Sequence, residues 1–413
     1  MKKPCIVIIG GGPAGMMAAI AAASHGNAHV ILLEKNEKLG KKLHLTGKGR
    51  CNLTNASDNA EHMRHILRNP RFLYSALDAL DSAGLMDFFT SLGVPLKIER
   101  GKRVFPESDK ANDINQALAA YLQKLGVAVK LRCMVNGITG SGLFCIRTNQ
   151  GTMDANALIL ATGGLSYPST GATGEGFSYA QALGHSIVPT FPSLVPLLTA
   201  EPWIPSLAGL SLRNVRLSAR IKNKVLYEEQ GEILFTHEGI SGPLLLRASA
   251  YLADKMHESP ALTLDLKPAL DTQTLDARIL RDFAEQPNKD FANALGKLLP
   301  ARLINAIVEI CGIPPETKIN AITKTQRATL VHTLKNITIM PTVAASYNEA
   351  VITRGGISIR EINPSTLMSK LVPNLFFAGE CIDVDALTGG FNLQIAFSTG
   401  HLAGVSAAKC LEK

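Results

Sequence analysis

The loop HLTGKGRCNLTN, His44 to Asn55, gathers residue types that do chemistry together. Gly47 and Gly49 let backbone approach a ligand closely, Lys48 and Arg50 suit phosphate, and Cys51 suits redox or proton transfer. Three uses stay open for such a loop: a nucleotide-phosphate cradle, a reactive-cysteine site, or an exposed basic turn. Two chemistries are excluded by order alone. The G-x-x-x-x-G-K-[ST] order of a P-loop is missing and no strand leads directly into the segment, and a dithiol centre needs a second nearby cysteine. Tyr167, in GGLSYPS, is a second residue able to give a proton, while Arg354, in TRGGI, can hold an anionic group or pair with a surface carboxylate.

These residues need a scaffold, and the N-terminal segment describes one. CIVII (Cys5 to Ile9) is a β-branched run suited to a buried parallel strand. It runs into GGGPAG, which sets Gly10, Gly12 and Gly15 in G-x-G-x-x-G order, and MMAAIAAASHG continues as helix formers closed by Gly26. A second strand, HVILLEK, ends at Glu34, at the separation of about 20 residues expected of a dinucleotide fold. Gly10 permits the tight turn, Gly12 lets a pyrophosphate approach backbone, and Gly15 lets helix and strand pack closely. Pro13 and Ala14 open the helix whose N-terminal N–H groups and dipole face the diphosphate, and Glu34 can accept from ribose hydroxyls.

The choice between FAD and NAD rests on the downstream segments. No second G-x-G-x-x-G follows a strand there, so one dinucleotide has an evident permanent site. LILATGGLSYPST (Leu158 to Thr170) is a further strand-to-glycine turn. In NLFFAGECIDVDALTGGFNLQ a strand (Leu375 to Ala378) leads through Glu380, Asp383 and a glycine pair into a helix from about Asn392. These segments return carboxylates and a second helix N-terminus to the fold, contacts that ribityl hydroxyls and a flavin ring require and NAD does not.

Composition bounds the rest. A chain of 413 residues, 46% hydrophobic and 18% charged, suits a soluble protein of two or three domains. Forty-two Lys and Arg against 34 Asp and Glu give +8, a bias toward polyanionic partners. Seven cysteines stand singly, as reduced thiols in the cytoplasm do, and with no C-x-x-C or H-E-x-x-H motif no metal site is expected. The start MKKPCIVIIGGGPAG imitates a secretory signal, yet glycines and a proline interrupt its apolar run. No uninterrupted apolar stretch is long enough to span a bilayer, so a cytoplasmic location is expected.

GGGPAGMMAA, EKNEKLGKKLHLTGKGRCNLTN, ATGGLSYPSTGATGEGFSYA, FTHEGISGPLLL and the stretch TRGGISIREINPSTLMSKLVPNLFFAGECIDVDALTGGFNLQIAFSTGHLAG together resemble the BaiN/YhiN-like NAD(P)/FAD-dependent oxidoreductases. The resemblance runs nearly end to end. It implies an α/β fold: a Rossmann-like, glutathione-reductase-like FAD-binding domain interrupted by a small β-barrel and a helical subdomain. Residues 1–192 and 348–413 form the FAD domain on this reading, 193–270 with 336–347 the barrel, and 271–335 the helices. The sequence agrees, with strand-like LRNVRLSARIKNKVL, GEILFTH and ALTLDL, then helical spacing in LDARILRDFAE and FANALGKLLPARLINAIVEI.

The resemblance also lays TGKGRCN along the FAD. It implies cofactor contacts at Gly10, Gly12, Pro13, Ala14, Gly15, Glu34 and Lys35; at Lys42, Thr46, Gly47, Gly49, Arg50, Cys51 and Asn52; and at Val135, Ala161, Thr162, Gly163 and Gly164. In the last segment it adds Gly379, Glu380, Asp383, Gly390, Asn392 and Leu393. NADH or NADPH would be a transient electron donor. Reduction of a conjugated C=C needs a proton beside the hydride, for which Cys51 and Tyr167 are the candidate acids, with Arg50 close by; each is equally read as a packing or positioning residue.

The family's activities include reducing steroid-like enones and a uridine of large-subunit ribosomal RNA, and oxidising a small amino ketone. In VRLSARIKNKV, Arg216, Ser218, Arg220 and Lys222 alternate with Val215, Leu217, Ala219 and Ile221, and no acid occurs between Ser211 and Leu226. With Arg64, Arg68 and Arg71 on an expected helix and Lys97 to Arg103 nearby, such patches suit RNA phosphates or form a solvated face. The preferred substrate is therefore ribosomal uridine. The alternatives are a small-molecule enone reductase, a flavin amine oxidase, and a flavin-bearing RNA-binding protein without turnover.

Overall fold

The computed structural model describes residues 3–222 and 224–412, which form two compact units, one up to residue 192 and again from 350, the other 193–349. In the first unit five parallel strands lie in the order Leu375–Phe377, Ala157–Leu160, Cys5–Ile9, His29–Leu33, Ala128–Lys130. Their short runs are apolar because most of their residues are buried. Chain order reverses between Cys5–Ile9 and Ala157–Leu160, so a crevice opens beyond the carboxyl ends of those two strands, where doubly wound sheets take their ligands. An antiparallel meander, Val135–Ser141, Leu143–Thr148 and Gly151–Ala155, carries the chain between the third and fourth strands in sequence.

Two small-residue helices, Pro13–His25 and Phe391–Cys410, pack against each other at backbone distance. A Cβ at Gly400 would lie 2.3 Å from the Ala14 carbonyl oxygen, and one at Gly404 would lie 2.3 Å from that of Ala18. The i, i+4 spacing of both pairs puts the small residues on facing stripes. This contact fixes the two helix N-termini beside the crevice.

The second unit holds a seven-stranded antiparallel sheet in the order Ile337–Ile339, Ala261–Asp265, Ser211–Ile221, Lys224–Phe235, Gly239–Ser241, Leu197–Thr199, Pro341–Ala344. Its two edge strands are consecutive in the chain, with Met340 alone between them. Helices Thr272–Ala284, Ala301–Cys311 and Lys324–Lys335 bury one face each, as Leu275, Ile279 and Phe283 do on the first. Asp271 caps that first helix by accepting from Thr274 N–H, and Thr323 with Gln326 forms a capping box on the third.

Two basic patches differ from expectation. On Ser211–Ile221, Val215, Leu217, Ala219 and Ile221 are buried and Arg216 and Arg220 exposed, but Ser218 is also buried. Arg64, Arg68 and Arg71 do not share a helix: the helix Asn59–His65 ends, Ile66–Arg68 is a strand paired with Asp385–Ala386, and Arg71 lies in a 3-10 turn. Pro70 excludes Asn69 from helical backbone, and Asn69 takes a left-handed conformation with φ 54°.

Candidate functional site

The glycine loop is built by close approach. Gly10 has φ +108°, and a Cβ there would lie 2.4 Å from the Ala161 carbonyl oxygen. Above Gly12 the situation is reversed: a Cβ would meet nothing within 4 Å. Gly12 is the N-cap of Pro13–His25 and has no side-chain cap, so the helix N-terminus faces open space beside Ala14. Glu34 is buried, its Oε2 accepting from Gly11 N–H at 2.7 Å and its Oε1 from Asn36 N–H at 2.8 Å and Asn36 Nδ2 at 2.7 Å. It anchors the loop with most of its lone-pair sites.

The other strand ends converge through a polar cluster. Ala161 N–H donates to Ile9 O, Gly163 turns with φ +73°, and Gly164 packs on Thr353. Thr353 Oγ1 accepts from Leu165 N–H at 2.8 Å and Ser166 N–H at 3.0 Å. Glu380 Oε1 accepts from Ser166 Oγ at 2.6 Å and from Thr353 N–H at 2.8 Å, and Lys42 Nζ donates to Glu380 Oε2 at 2.6 Å. Thr162 Oγ1 is buried against Gly176. Sequence reasoning does not find Ser166, whose only signal is a hydroxyl beside a glycine turn; Thr353 lies in the TRGGI segment, Thr353 to Ile357, that the sequence sets at the border of the site.

The loop from Leu43 to Asn55 is held by positive-φ residues: Gly47, Lys48, Gly49 and Cys51 at φ 58°, 60°, 86° and 63°. Arg50 is engaged with Glu99 at 2.8 Å and Asp109 at 3.3 Å, and stacks 4.1 Å from the Phe105 ring centre. Thr46 Oγ1 donates to Leu43 O. Cys51 is 0% exposed inside the main core, and burial pushes its thiol up to about 12 against an opposing hydrogen bond with Thr46. Asn52, with its amide oriented to suit both partners, donates to Thr54 O at 3.2 Å and accepts from Gly390 N–H at 3.0 Å. Tyr167, by contrast, is half-buried at φ 53°, its ring centre 6.0 Å from Lys42 Nζ, and burial raises its phenol above the ordinary value.

Around the second helix N-terminus, Gly390 caps Phe391–Cys410 at φ 100°, Asn392 bonds both backbone groups of Ala386, and Leu393 is half-buried. Gly379 N–H donates to Thr399 Oγ1 at 2.9 Å. Asp383 is buried and paired with Arg68, while Arg354 forms an ion pair with fully buried Asp385 at 2.9 Å, not with a surface carboxylate. Lys35 reaches Thr173 and Glu175, and Val135 O accepts from Tyr179 Oη.

No metal centre is formed among the described residues. His25 and His29 stand four apart, but one ends a helix and the other opens a strand, so they share no helix face. No helix among the described residues is long and apolar enough to cross a membrane.

This crevice, with two helix N-termini and a glycine loop over a 3-2-1-4-5 parallel sheet, is matched across the chain. Residues 4–406 match the family described as HI0933-like protein Rossmann domain. The chain belongs to that family of flavoprotein oxidoreductases. A relative from Clostridium scindens, 3-dehydro-bile acid delta(4,6)-reductase, is 32% identical over 98% of this chain and 99% of its own length. The ribosomal RNA dihydrouridine synthase of Escherichia coli is 30% identical over 97% of this chain and 96% of its own. Among solved structures, 3-ketosteroid delta1-dehydrogenase from Sterolibacterium denitrificans matches with a TM-score of 0.50 at 12% identity, covering 98% of this chain and 99% of that one, which shows a shared fold.

This family member has residues that fit FAD. The open space at Gly12 suits a diphosphate against N–H groups, and the N-terminus at Gly390 offers a second set of donors.

Proposed function

We propose that this FAD-dependent oxidoreductase reduces a conjugated C=C, with uridine in large-subunit ribosomal RNA as its substrate and dihydrouridine as product. The observation that carries the reaction class is end-to-end similarity to two relatives whose names both describe saturation of such a bond, at 98% and 97% coverage of this chain. FAD, when bound, supplies hydride to the electron-poor carbon. Gly10, Gly12 and Gly15 with Pro13 and Ala14 hold the diphosphate end; Gly47, Gly49, Asn52, Gly163, Gly164 and Gly390 line its path. NADH or NADPH supplies the electrons transiently, since only one dinucleotide loop is present.

The chain's own task is then the proton for the neighbouring carbon. Tyr167 suits it better than Cys51. Its phenol is partly accessible and remains protonated at neutral pH, whereas the Cys51 thiol is enclosed by core residues. Lys42, tied to Ser166 and Glu380, lies 6.0 Å from the centre of the Tyr167 ring.

Uridine is favoured over a steroid-like enone by charge: a net +8 and the exposed arginines of Ser211–Ile221 suit a polyanion. The enone reading is favoured by the 32% identity to the bile-acid reductase. Mass spectrometry of ribosomal RNA nucleosides from cells with and without the gene decides. Loss of one dihydrouridine, restored by the wild-type protein and not by Tyr167→Phe, supports the proposal; unchanged RNA rejects it and sends the search to small enones.

A further inference from the structure

The second unit carries a polar groove of about 270 Å³, lined among others by Arg216, Ser218, Arg220, Glu228, Thr263 and Lys335. We propose that this groove docks the phosphodiester backbone of RNA, an inference that rests on the ribosomal-uridine reading above.

Ladder register sets the floor of the groove. Ser218 stands opposite Glu228 on one neighbouring strand and Thr263 on the other, and Arg216 stands opposite Gln230 and Asp265. Residues directly opposite in a sheet share a face, and Arg216, Ser218 and Arg220 alternate onto it. The Asp265 carboxylate is already engaged, accepting from Lys335 Nζ at 2.7 Å and from Lys267 N–H at 2.8 Å. Lys335 is fixed further by the carbonyls of Lys267 and Leu270. Arg216 and Arg220 are exposed, and among the described residues neither has an ion-pair partner.

The Cα atoms of two residues four apart on one strand are separated by about 13 Å, and both arginines line the one groove, where they can flank phosphates along one nucleic-acid strand. Ser218, Thr263 and Thr272 add hydroxyls of the kind that contact phosphate and sugar. No aromatic ring is among the described residues lining the groove, so bases find no stacking platform and contact is to the backbone, independent of sequence. Among the described residues, Glu228 is the one opposing charge on the floor that no cation holds, and it makes the proposal testable in both directions.

The test is binding of a labelled large-subunit ribosomal RNA fragment to the full-length, FAD-loaded protein across a salt series. The variants are Arg216→Gln/Arg220→Gln and Glu228→Gln. Wild type is expected to lose affinity linearly in log salt. The double variant should bind about tenfold more weakly or worse at about 0.1 M salt, with a slope shallower by about 1.5, and Glu228→Gln should bind more tightly. All three positions are exposed, so thermal midpoints should not move; if the double variant misfolds, the sign of the Glu228→Gln effect still decides. Wild-type affinity and slope in the double variant overturn the groove, even where dihydrouridine still forms and the activity stands. Arginine-dependent binding with no dihydrouridine formed upholds the groove and overturns the activity.

Discussion

A Cβ on Gly15 would lie 1.8 Å from the carbonyl oxygen of Gly10, whereas a Cβ on Gly12, between them in the motif, would touch nothing within 4 Å. The three glycines of one motif therefore serve different physical ends. Gly15 and Gly10 are required by the protein itself, whereas Gly12 faces open space that the proposed diphosphate would fill.

The two classes separate experimentally. Gly15→Ala drives a methyl group into backbone that has nowhere to move, and is expected to cost about 3 kcal/mol or more of stability even without cofactor. Gly12→Ala should leave the unfolding free energy of the apoprotein within about 0.5 kcal/mol of wild type. Purified Gly12→Ala should nevertheless lack the flavin absorbance. Retention of full FAD by Gly12→Ala would remove the diphosphate from that helix N-terminus.

Tyr167 and Cys51 make opposite predictions. Tyr167→Phe removes the proposed proton donor and should lower turnover by about 10²- to 10⁴-fold while the reduced nicotinamide still bleaches the flavin. Cys51→Ala empties a small space in the core and should cost about 1 kcal/mol of stability with turnover within a few fold of wild type. Steady-state rates and stopped-flow absorbance on both variants check this, and a dead Cys51→Ala enzyme with intact FAD reverses the assignment.

The dinucleotide loop was legible in sequence because its parts are local: strand, glycines, helix and acid succeed one another along the chain, and each constrains its neighbour. Val215, Leu217, Ala219 and Ile221 were legible as a buried face for the same reason, since alternation is a local property. The polar cluster was not. Lys42, Ser166, Thr353 and Glu380 are brought together by strand order, and no periodicity links positions so far apart. For Cys51 the sequence left two readings open, proton donor and packing residue, and the fold decides for packing by turning the side chain into the core. Arg354 was recognised as a charge in need of a partner, but only the fold supplies Asp385.

Acid should destabilise the first unit through two buried imidazoles, His62 and His185, and two half-buried ones, His44 and His401. His44, His62, His185 and His401 are all held below their ordinary value, chiefly by burial. At His185 the desolvation prevails over Glu361, 3.3 Å from Nδ1. A lowered imidazole means the unfolded chain binds protons first, so stability is full above the ordinary histidine value and falls as pH drops below about 6.5. Urea midpoints measured from about pH 7.5 down to 5.5 should therefore decline, and His185→Phe should flatten part of that decline.

Arg354 and Asp385 are 6% and 0% exposed at their side chains and lie 2.9 Å apart. Burial raises the Asp385 carboxyl above the usual range, with Arg354 opposing it most strongly among the lowering influences. Taking away the guanidinium leaves a buried carboxylate without its nearest compensation, so Arg354→Leu is expected to cost about 3–5 kcal/mol. The sign with pH comes from the raised value: a carboxyl whose folded pKa is raised favours folding most when protonated, and that contribution is lost as pH rises through its folded pKa. The penalty of Arg354→Leu should thus be largest at neutral pH and shrink on acidification. Arg354→Leu/Asp385→Leu, which removes both charges, should recover most of the loss. Denaturant titrations of the two single variants and the double variant at neutral and mildly acidic pH complete the cycle; a double variant as unstable as Arg354→Leu alone would show that the arginine's packing, and not its charge, holds this corner of the fold.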